Sequence, residues 1–172
     1  FLYQPGSEGA LWWGPYSDTA RKRGTTGLLQ RCTASNTCPK VVEALGSAEI
    51  WNLRASPGFV GTDAKADLQI PANVRRYYFP SVTHGGGRGG GFQPEREGFA
   101  PGCVMPGNPN PIADTYRVLE RTLIAWVKDG TEPPPSRIPT LAAGDLVAPT
   151  AAAMGWPTIP GAPKPDGHLN PL

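Results

Sequence analysis

Residues 74–84 have the sequence VRRYYFPSVTH, in which a run with aromatic and β-branched residues ends at Pro80 and a histidine follows. Pro71 lies just before the run. Such a run predicts a buried strand over Val74–Phe79. A second, mostly apolar run over Pro39–Leu45 ends at a glycine and predicts another strand. Between the two strands, Ser47 is suited to cap a short helix over Ser47–Leu53.

One long amphipathic helix is expected after the second strand. Asp114–Lys128 begins at a carboxylate that can cap it and ends just before Gly130, where a helix terminates readily. The order strand, helix, strand, long loop, helix is that of an α/β layered protein. We expect the apolar face of the helix to pack on the sheet. Its members are Val118, Leu119, Thr122, Leu123, Trp126 and Val127.

The composition favours a folded, loop-rich protein. Of the 172 residues, 22 are glycine and 21 proline, but 39% are hydrophobic and the net charge is only +2, which argues against disorder. The near balance of charge excludes a field strong enough to bind nucleic acid or an anionic membrane. No apolar run reaches the roughly 18 residues of a membrane helix. Residues 131–172 are rich in Pro and Ala and predict an extended tail.

The three cysteines indicate a disulfide. Cys32 and Cys38 are the pair that local chain geometry can join. Two free thiols are the alternative, and a zinc site is excluded because no second Cys or His pair lies at ligand spacing. We expect the disulfide, and with it a periplasmic or secreted protein, while the pairing of Cys103 stays open.

His84 is the residue best suited to chemistry. A loop at the carboxyl end of a strand presents its imidazole to a cleft, and a neighbouring carboxylate can orient the ring of a general base. We expect that carboxylate to be Glu49, which follows the other strand, because one crossover makes the two strands neighbours. Glu43, inside a strand, and Asp63, in a later loop, are rival acids. The alternative is a loop histidine bonded to backbone and a carboxylate that only favours a helix start.

Two other chemistries are not supported. Gly85, Gly87 and Gly90 satisfy G-x-G-x-x-G, but a dinucleotide site requires a helix to begin there, and residues 92–94, Phe-Gln-Pro, do not begin one. A metal needs several convergent ligands, and His168, the other histidine, lies in the Pro-rich tail. We therefore expect no cofactor and no metal.

Four stretches of the chain carry a resemblance to a known family. They are SEGALWW at 7–13, GSAEIW at 46–51, NVRRYYFPSVTHGGG at 73–87 and WVKDGTEPPPSR at 126–137. Together they resemble the C-terminal part of bacterial α/β-hydrolase-domain proteins. The resemblance covers most of residues 1–140 and implies an α/β-hydrolase sandwich with a mostly parallel sheet flanked by helices. It also implies a triad in the order Ser, acid, His, with His84 as the base and Glu49 as the acid.

The sequence departs from this family pattern at the nucleophile. Ser7 lies in a G-S-E-G stretch without the spacing of a G-x-S-x-G elbow, and no other serine in the sequence matches it. The resemblance therefore implies that residues 1–172 are the C-terminal part of a single domain, with Phe1 a processing site or a fragment boundary. We expect an upstream N-terminal segment of the same hydrolase to supply the nucleophile and the rest of the sheet, because two strands do not stand alone.

The function expected from these residues is carboxylic-ester hydrolysis by a serine hydrolase, with a small ester as substrate. Trp51, beside the acid, and Gly85, at the start of the glycine loop, are expected to border that substrate. The alternative is a non-catalytic binding or structural module of α/β-hydrolase type, whose aromatic residues only pack. A serine on a strand–turn–helix elbow upstream would favour the enzyme.

Overall fold

A computed structural model describes residues 12–51, 53, 55–87 and 108–167, with Trp51 described by its backbone alone. The chain divides into two compact units, one of Phe1–Gln30, Pro57–Gln69 and Pro139–Leu172, the other of Arg31–Ser56 and Ile70–Ile138. The elements in chain order are β1 (Tyr16–Ser17), β2 (Thr25–Thr26), α1 (Gln30–Ala34), β3 (Val41–Gly46), α2 (Ser47–Trp51), α3 (Pro57–Val60), β4 (Val74–Phe79) and α4 (Ala113–Asp129).

The second unit contains the sheet of β3 and β4. The two strands run parallel, from the pair Val41 and Val74 to the pair Gly46 and Phe79. Parallel strands require a long crossover, which begins here with α2 directly after β3. Both predicted strands are confirmed, although the first begins at Val41 rather than at Pro39 and includes the glycine that was expected to follow it.

Helix α4 packs against β3, as the sequence predicts. Its inner face carries the buried Trp126 and the half-buried Leu119 and Leu123. The charged ends of Lys40 and Arg75 lie over the indole ring of Trp126, at 4.3 and 4.9 Å from its centre. Such cation–π contacts stabilise the packing of the helix at the start of both strands.

Two details of α4 correct the sequence prediction. Asp114 does not cap the helix, because Ile112 occupies the N-cap position without a side-chain capping hydrogen bond and Asp114 lies in the first turn. Val118 and Val127, expected on the packed face, are 59% and 62% exposed. A sheet of two strands covers only a narrow stripe of a helix, so these flanking residues stay outside. The predicted termination at Gly130 is confirmed, in the left-handed conformation at φ 73°.

The two edges of this sheet differ. The outer edge of β4 is covered by residues 136–137, since Arg137 accepts a hydrogen bond from the Tyr78 amide at 2.7 Å and donates one to the Arg76 carbonyl at 2.8 Å. The edge of β3 pairs with no strand in the described part of the chain. Beside it lies an open groove of about 270 Å³, the β3–α4 groove, lined by Val42, Ala44, Tyr116, Leu119, Glu120 and Leu123.

The first unit is organised around a buried carboxylate. Asp18 is fully buried and pairs with the Arg21 guanidinium at 2.5 Å, while the hydroxyl of Thr62 donates to its other oxygen at 2.7 Å. Burial alone would raise the pKa of Asp18, but the hydrogen bonds from Thr62 and Arg21 and the charge of Arg21 hold that pKa below its ordinary value. Nearby, the buried Trp12 donates its indole N–H to the Thr26 carbonyl at 2.6 Å.

The tail that follows residue 137 contributes turns rather than regular elements. Within residues 138–167 the described backbone forms turns joined by segments without regular secondary structure. One bridge pairs Thr150 with Asp166. The carboxylate of Asp67 accepts hydrogen bonds from the amides of Leu141 and Ala142, at 2.7 and 3.0 Å, and so fastens the tail within the first unit.

A disulfide lies at the start of the second unit. Cys32 and Cys38 form a disulfide that closes the short loop after α1, the pairing expected from the sequence, and this bond is compatible with an extracellular location. Cys103 lies outside the described residues. None of the helices in the described ranges is long and apolar enough to cross a bilayer.

Asp18→Asn is expected to lower the free energy of unfolding by about 3 kcal/mol, because it removes the charge that the largely buried Arg21 faces. The contribution of the carboxylate is fully present above about pH 4. It is lost as the pH falls through the lower pKa of the folded state. Urea unfolding at several pH values measures both effects. Asp145→Asn, at an exposed site, is the control, and an Asp18→Asn protein that loses stability in acid as steeply as its parent would contradict the account.

The disulfide is tested by peptide mapping without reductant. Trypsin cleaves after Arg31 and Lys40, so both cysteines fall in one peptide, residues 32–40. That peptide should resist alkylation and be lighter by the two thiol hydrogens. A cross-link from Cys103 to either cysteine would contradict the structure.

Candidate active site

Glu49 lies in the first turn of α2, directly after β3. Its Oε2 accepts a hydrogen bond from the backbone N–H of Gly46 at 2.6 Å. The side chain therefore turns back toward the strand end, as a glutamate does when it satisfies the amide at a helix start. It is 16% exposed. Residues 46–49, the acid turn, thus hold the carboxylate in a fixed and largely buried position.

His84 follows β4 through residues 80–84, the histidine loop. Its Nδ1 lies 2.5 Å from Oε1 of Glu49. An ionised carboxylate only accepts hydrogen bonds, so Nδ1 carries the proton and donates it. In the neutral ring Nε2 is then the free acceptor. The structure thus brings the two predicted residues into contact. Glu49 is largely buried, whereas the His84 imidazole is 76% exposed.

The parallel pairing of the strands makes this contact possible. Beyond the last strand pair, the amide of Ser47 donates to the carbonyl of Val82 at 2.9 Å and joins the acid turn to the histidine loop. Gly46 fits this close approach, because an added Cβ would lie 2.8 Å from the Val82 oxygen and 3.0 Å from Oε2 of Glu49. A larger residue at position 46 would push the two segments apart.

The surroundings of Glu49 favour its charged form. Burial alone would raise the pKa of this carboxyl, but hydrogen bonds from His84, from the Gly46 amide and from its own amide hold the pKa below its ordinary value, helped by the charge of a protonated His84. A carboxylate that stays ionised can orient an imidazole and stabilise its protonated form.

The phenol of Tyr116, in α4, is affected by the same carboxylate. Burial, and then the charge of Glu49, raise the pKa of the Tyr116 phenol.

The two rival acids have other partners. Glu43 faces Arg76 across the strand pair, and the two side chains form an ion pair within the sheet. Asp63 lies in the first unit, where it accepts a hydrogen bond from the Tyr16 hydroxyl at 3.1 Å. Of these carboxylates, Glu49 is the one whose oxygen contacts His84.

The residues expected to border the substrate are only partly described. Gly85 is exposed and has open space around it. Gly87 instead lies against the backbone of Pro109, where an added Cβ would be 2.2 Å from the carbonyl oxygen. The side chain of Trp51 and residues 88–107, with the rest of the glycine loop, lie outside the described part of the chain. The binding roles of Trp51 and Gly85 stay predictions.

Sequence reasoning missed the residues that brace the histidine loop. The side-chain amides of Asn108 and Asn110 both donate to the carbonyl of Ser81, at 2.6 and 3.2 Å. The signal was present, since these asparagines alternate with prolines just before α4, and asparagine is a frequent partner of irregular backbone. Within the described residues no group of three or more His, Cys, Asp or Glu side chains could hold a metal ion.

The contact between Glu49 and His84 predicts a measurable titration. The Glu49 carboxyl should titrate below the ordinary glutamate value, and His84→Ala should raise its pKa, because burial remains while the hydrogen bond and charge are lost. Carbon NMR of the labelled carboxyl against pH measures this shift. His168→Ala should leave it in place, and an unchanged Glu49 titration in His84→Ala would contradict the geometry.

Comparison with known proteins agrees with this architecture. A family model described as an alpha/beta hydrolase domain matches residues 5–168. No curated protein and no solved structure matches the chain. The match covers nearly all of the 172 residues, and the parallel strand pair with a helix packed on it is consistent with an α/β fold. The chain therefore belongs to the alpha/beta hydrolase domain family.

Proposed function

We propose that this chain supplies the base and the acid of a serine hydrolase that cleaves carboxylic esters. The observation that carries the proposal is the 2.5 Å contact between Nδ1 of His84 and Oε1 of Glu49, at the carboxyl ends of two parallel strands. Families of this kind are generally hydrolytic, and the membership of the chain supports the reaction class. The exposed ring supports it further, because a base must reach the group that it deprotonates.

In the proposed reaction a serine hydroxyl attacks the carbonyl carbon of the ester while its proton moves to Nε2 of His84. The bond to the alkoxy oxygen then breaks, and His84 gives that proton to the leaving alcohol. Water attacks the acyl-serine in the same way, passing a proton to His84 and releasing the carboxylic acid as the serine recovers its proton. Glu49 keeps the ring oriented and stabilises its charged form in each half-reaction.

The nucleophile is proposed to come from an upstream segment of the same hydrolase. No serine in residues 1–172 has glycines two positions before and after it. The unpaired edge of β3 and the β3–α4 groove beside it are where we propose that this segment adds its strand. The apolar side chains of Val42, Leu119 and Leu123 suit such a partner, because a parallel sheet is normally buried on both faces.

The proposal extends to the class of substrate and to the cellular location of the protein. A small ester is the expected substrate, with Trp51 and Gly85 at its border, and no cofactor is required by this chemistry. A periplasmic or secreted location is supported by the disulfide between Cys32 and Cys38.

Three substitutions in the complete protein separate the proposed roles. His84→Ala should lower kcat for a chromogenic ester by about four orders of magnitude. Glu49→Gln should lower it by about three orders, because an amide still contacts the ring but does not stabilise its charged form. Glu43→Gln, the matched control at an acid paired with Arg76, should leave kcat nearly unchanged. Each variant is measured for kcat, KM and Tm.

The same series can refute the proposal. Ester hydrolysis by His84→Ala within about tenfold of the parent would remove histidine catalysis. A larger loss at Glu43 than at Glu49 would move the acid. Absence of hydrolysis in the parent, with folding intact, would favour the alternative of a non-catalytic binding module.

A further inference from the structure

Ser81, in the histidine loop, has a backbone conformation that its side chain disfavours. Its φ is +61°, in the left-handed region, although it is not a glycine. Such a conformation persists where the surrounding structure fixes it, and it is enriched at functional sites.

Hydrogen bonds hold both backbone polar groups of Ser81. Its N–H donates to the hydroxyl oxygen of Ser47 at 2.8 Å. Its carbonyl accepts from the side-chain amides of Asn108 and Asn110. Of these three partners, Ser47 is the one that belongs to the acid turn, whereas Asn108 and Asn110 lie just before α4.

Ser47 joins the acid turn to the β4 side of the site through three contacts. Besides Ser81, its hydroxyl shares a hydrogen bond with the Tyr78 hydroxyl at 3.1 Å, and its amide donates to the Val82 carbonyl at 2.9 Å. The residue that lies two positions before Glu49 therefore holds the backbone that leads to His84. The two halves of the site are connected by Ser47 as well as by the contact between the imidazole and the carboxylate.

We propose that Ser47 is a positioning residue, whose hydroxyl fixes the histidine loop against the acid turn and so orients His84 toward Glu49. The exposure of the ring makes this support necessary. A 76% exposed imidazole has few packing contacts to fix it, so its direction depends on the Glu49 contact and on the loop backbone. The inference rests on the proposed function for its effect on catalysis, but not for its effect on the geometry of His84.

The test compares two serines in the complete protein. Ser47→Ala removes the acceptor of the Ser81 amide. Ser136→Ala is the matched control, because the half-buried Ser136 also accepts a backbone N–H, that of Arg76 at 3.0 Å, but at the outer edge of β4, away from β3 and the acid turn. Both variants should lower Tm similarly. Ser47→Ala should also lower kcat by about tenfold to a hundredfold with little change in KM, as misplacement of a reacting group does, whereas Ser136→Ala should keep kcat within about twofold of the parent.

A second readout does not require activity. In histidine-labelled protein, nitrogen and proton NMR report whether Nδ1 of His84 holds the bonded proton. Ser47→Ala should weaken this signal by faster exchange and mix the two ring tautomers, while Ser47→Thr, which keeps a hydroxyl, should restore both the signal and kcat. Ser136→Ala should leave the His84 signal unchanged.

The outcomes are distinguishable. If the parent hydrolyses no ester, the proposed function fails and the His84 signal alone decides the role of Ser47. A His84 signal and a kcat in Ser47→Ala that match those of Ser136→Ala would overturn the proposal. Should Ser47→Ala fail to fold, Ser47→Cys replaces the hydroxyl with a weak acceptor, and the same loss of signal and kcat is expected, with parent-like values overturning the proposal.

Discussion

The parallel pairing of β3 and β4 is the constraint on which the rest of the site depends. It aligns Gly46 with Phe79, so the segments that leave the two strands leave them side by side. Because side chains alternate between the faces of a sheet, a slip of one residue would turn the side chains of the slipped strand to the opposite face. That slip would separate Glu43 from Arg76 and move the acid turn away from the histidine loop. Strand register, rather than any local motif, brings Glu49 to His84.

Glu49 and His84 differ strongly in their exposure to solvent. Glu49 is largely enclosed and bonded through both oxygens, one to the Gly46 amide and one to His84, whereas the imidazole is open to solvent. Enclosure strengthens the hold of the carboxylate on the ring, and exposure leaves Nε2 accessible to a reacting group. The cost of this arrangement is an imidazole with little packing around it. The hydroxyl of Ser47 and the amides of Asn108 and Asn110, through Ser81, replace that packing with hydrogen bonds.

Local patterns predicted β3, α2, β4 and α4, but not the short elements β1, β2 and α3. Long-range contacts decided the features that the patterns omitted. The two strands and the termination of α4 at Gly130 followed from residues close in sequence to one another. The choice of Glu49 followed instead from the expectation that the two strands are neighbours. The buried Asp18 depends on Thr62, far along the chain, and no local signal marks it. The left-handed backbone of Ser81 depends likewise on hydrogen bonds to residues distant in sequence, so the local sequence does not predict it. Val118 is exposed because the sheet beneath α4 is only two strands wide. The spacing of apolar residues along the helix does not show the width of the sheet.

Covalent labelling of the complete protein with a fluorophosphonate tests the central claim most directly, because this reagent reacts with a serine hydroxyl that a neighbouring base has activated. Peptide mapping then identifies the modified residue. The account predicts that one serine outside residues 1–172 is labelled and that His84→Ala abolishes the labelling while the protein stays folded. Labelling of His84→Ala at the rate of the parent, or no labelling of a folded parent, would contradict it.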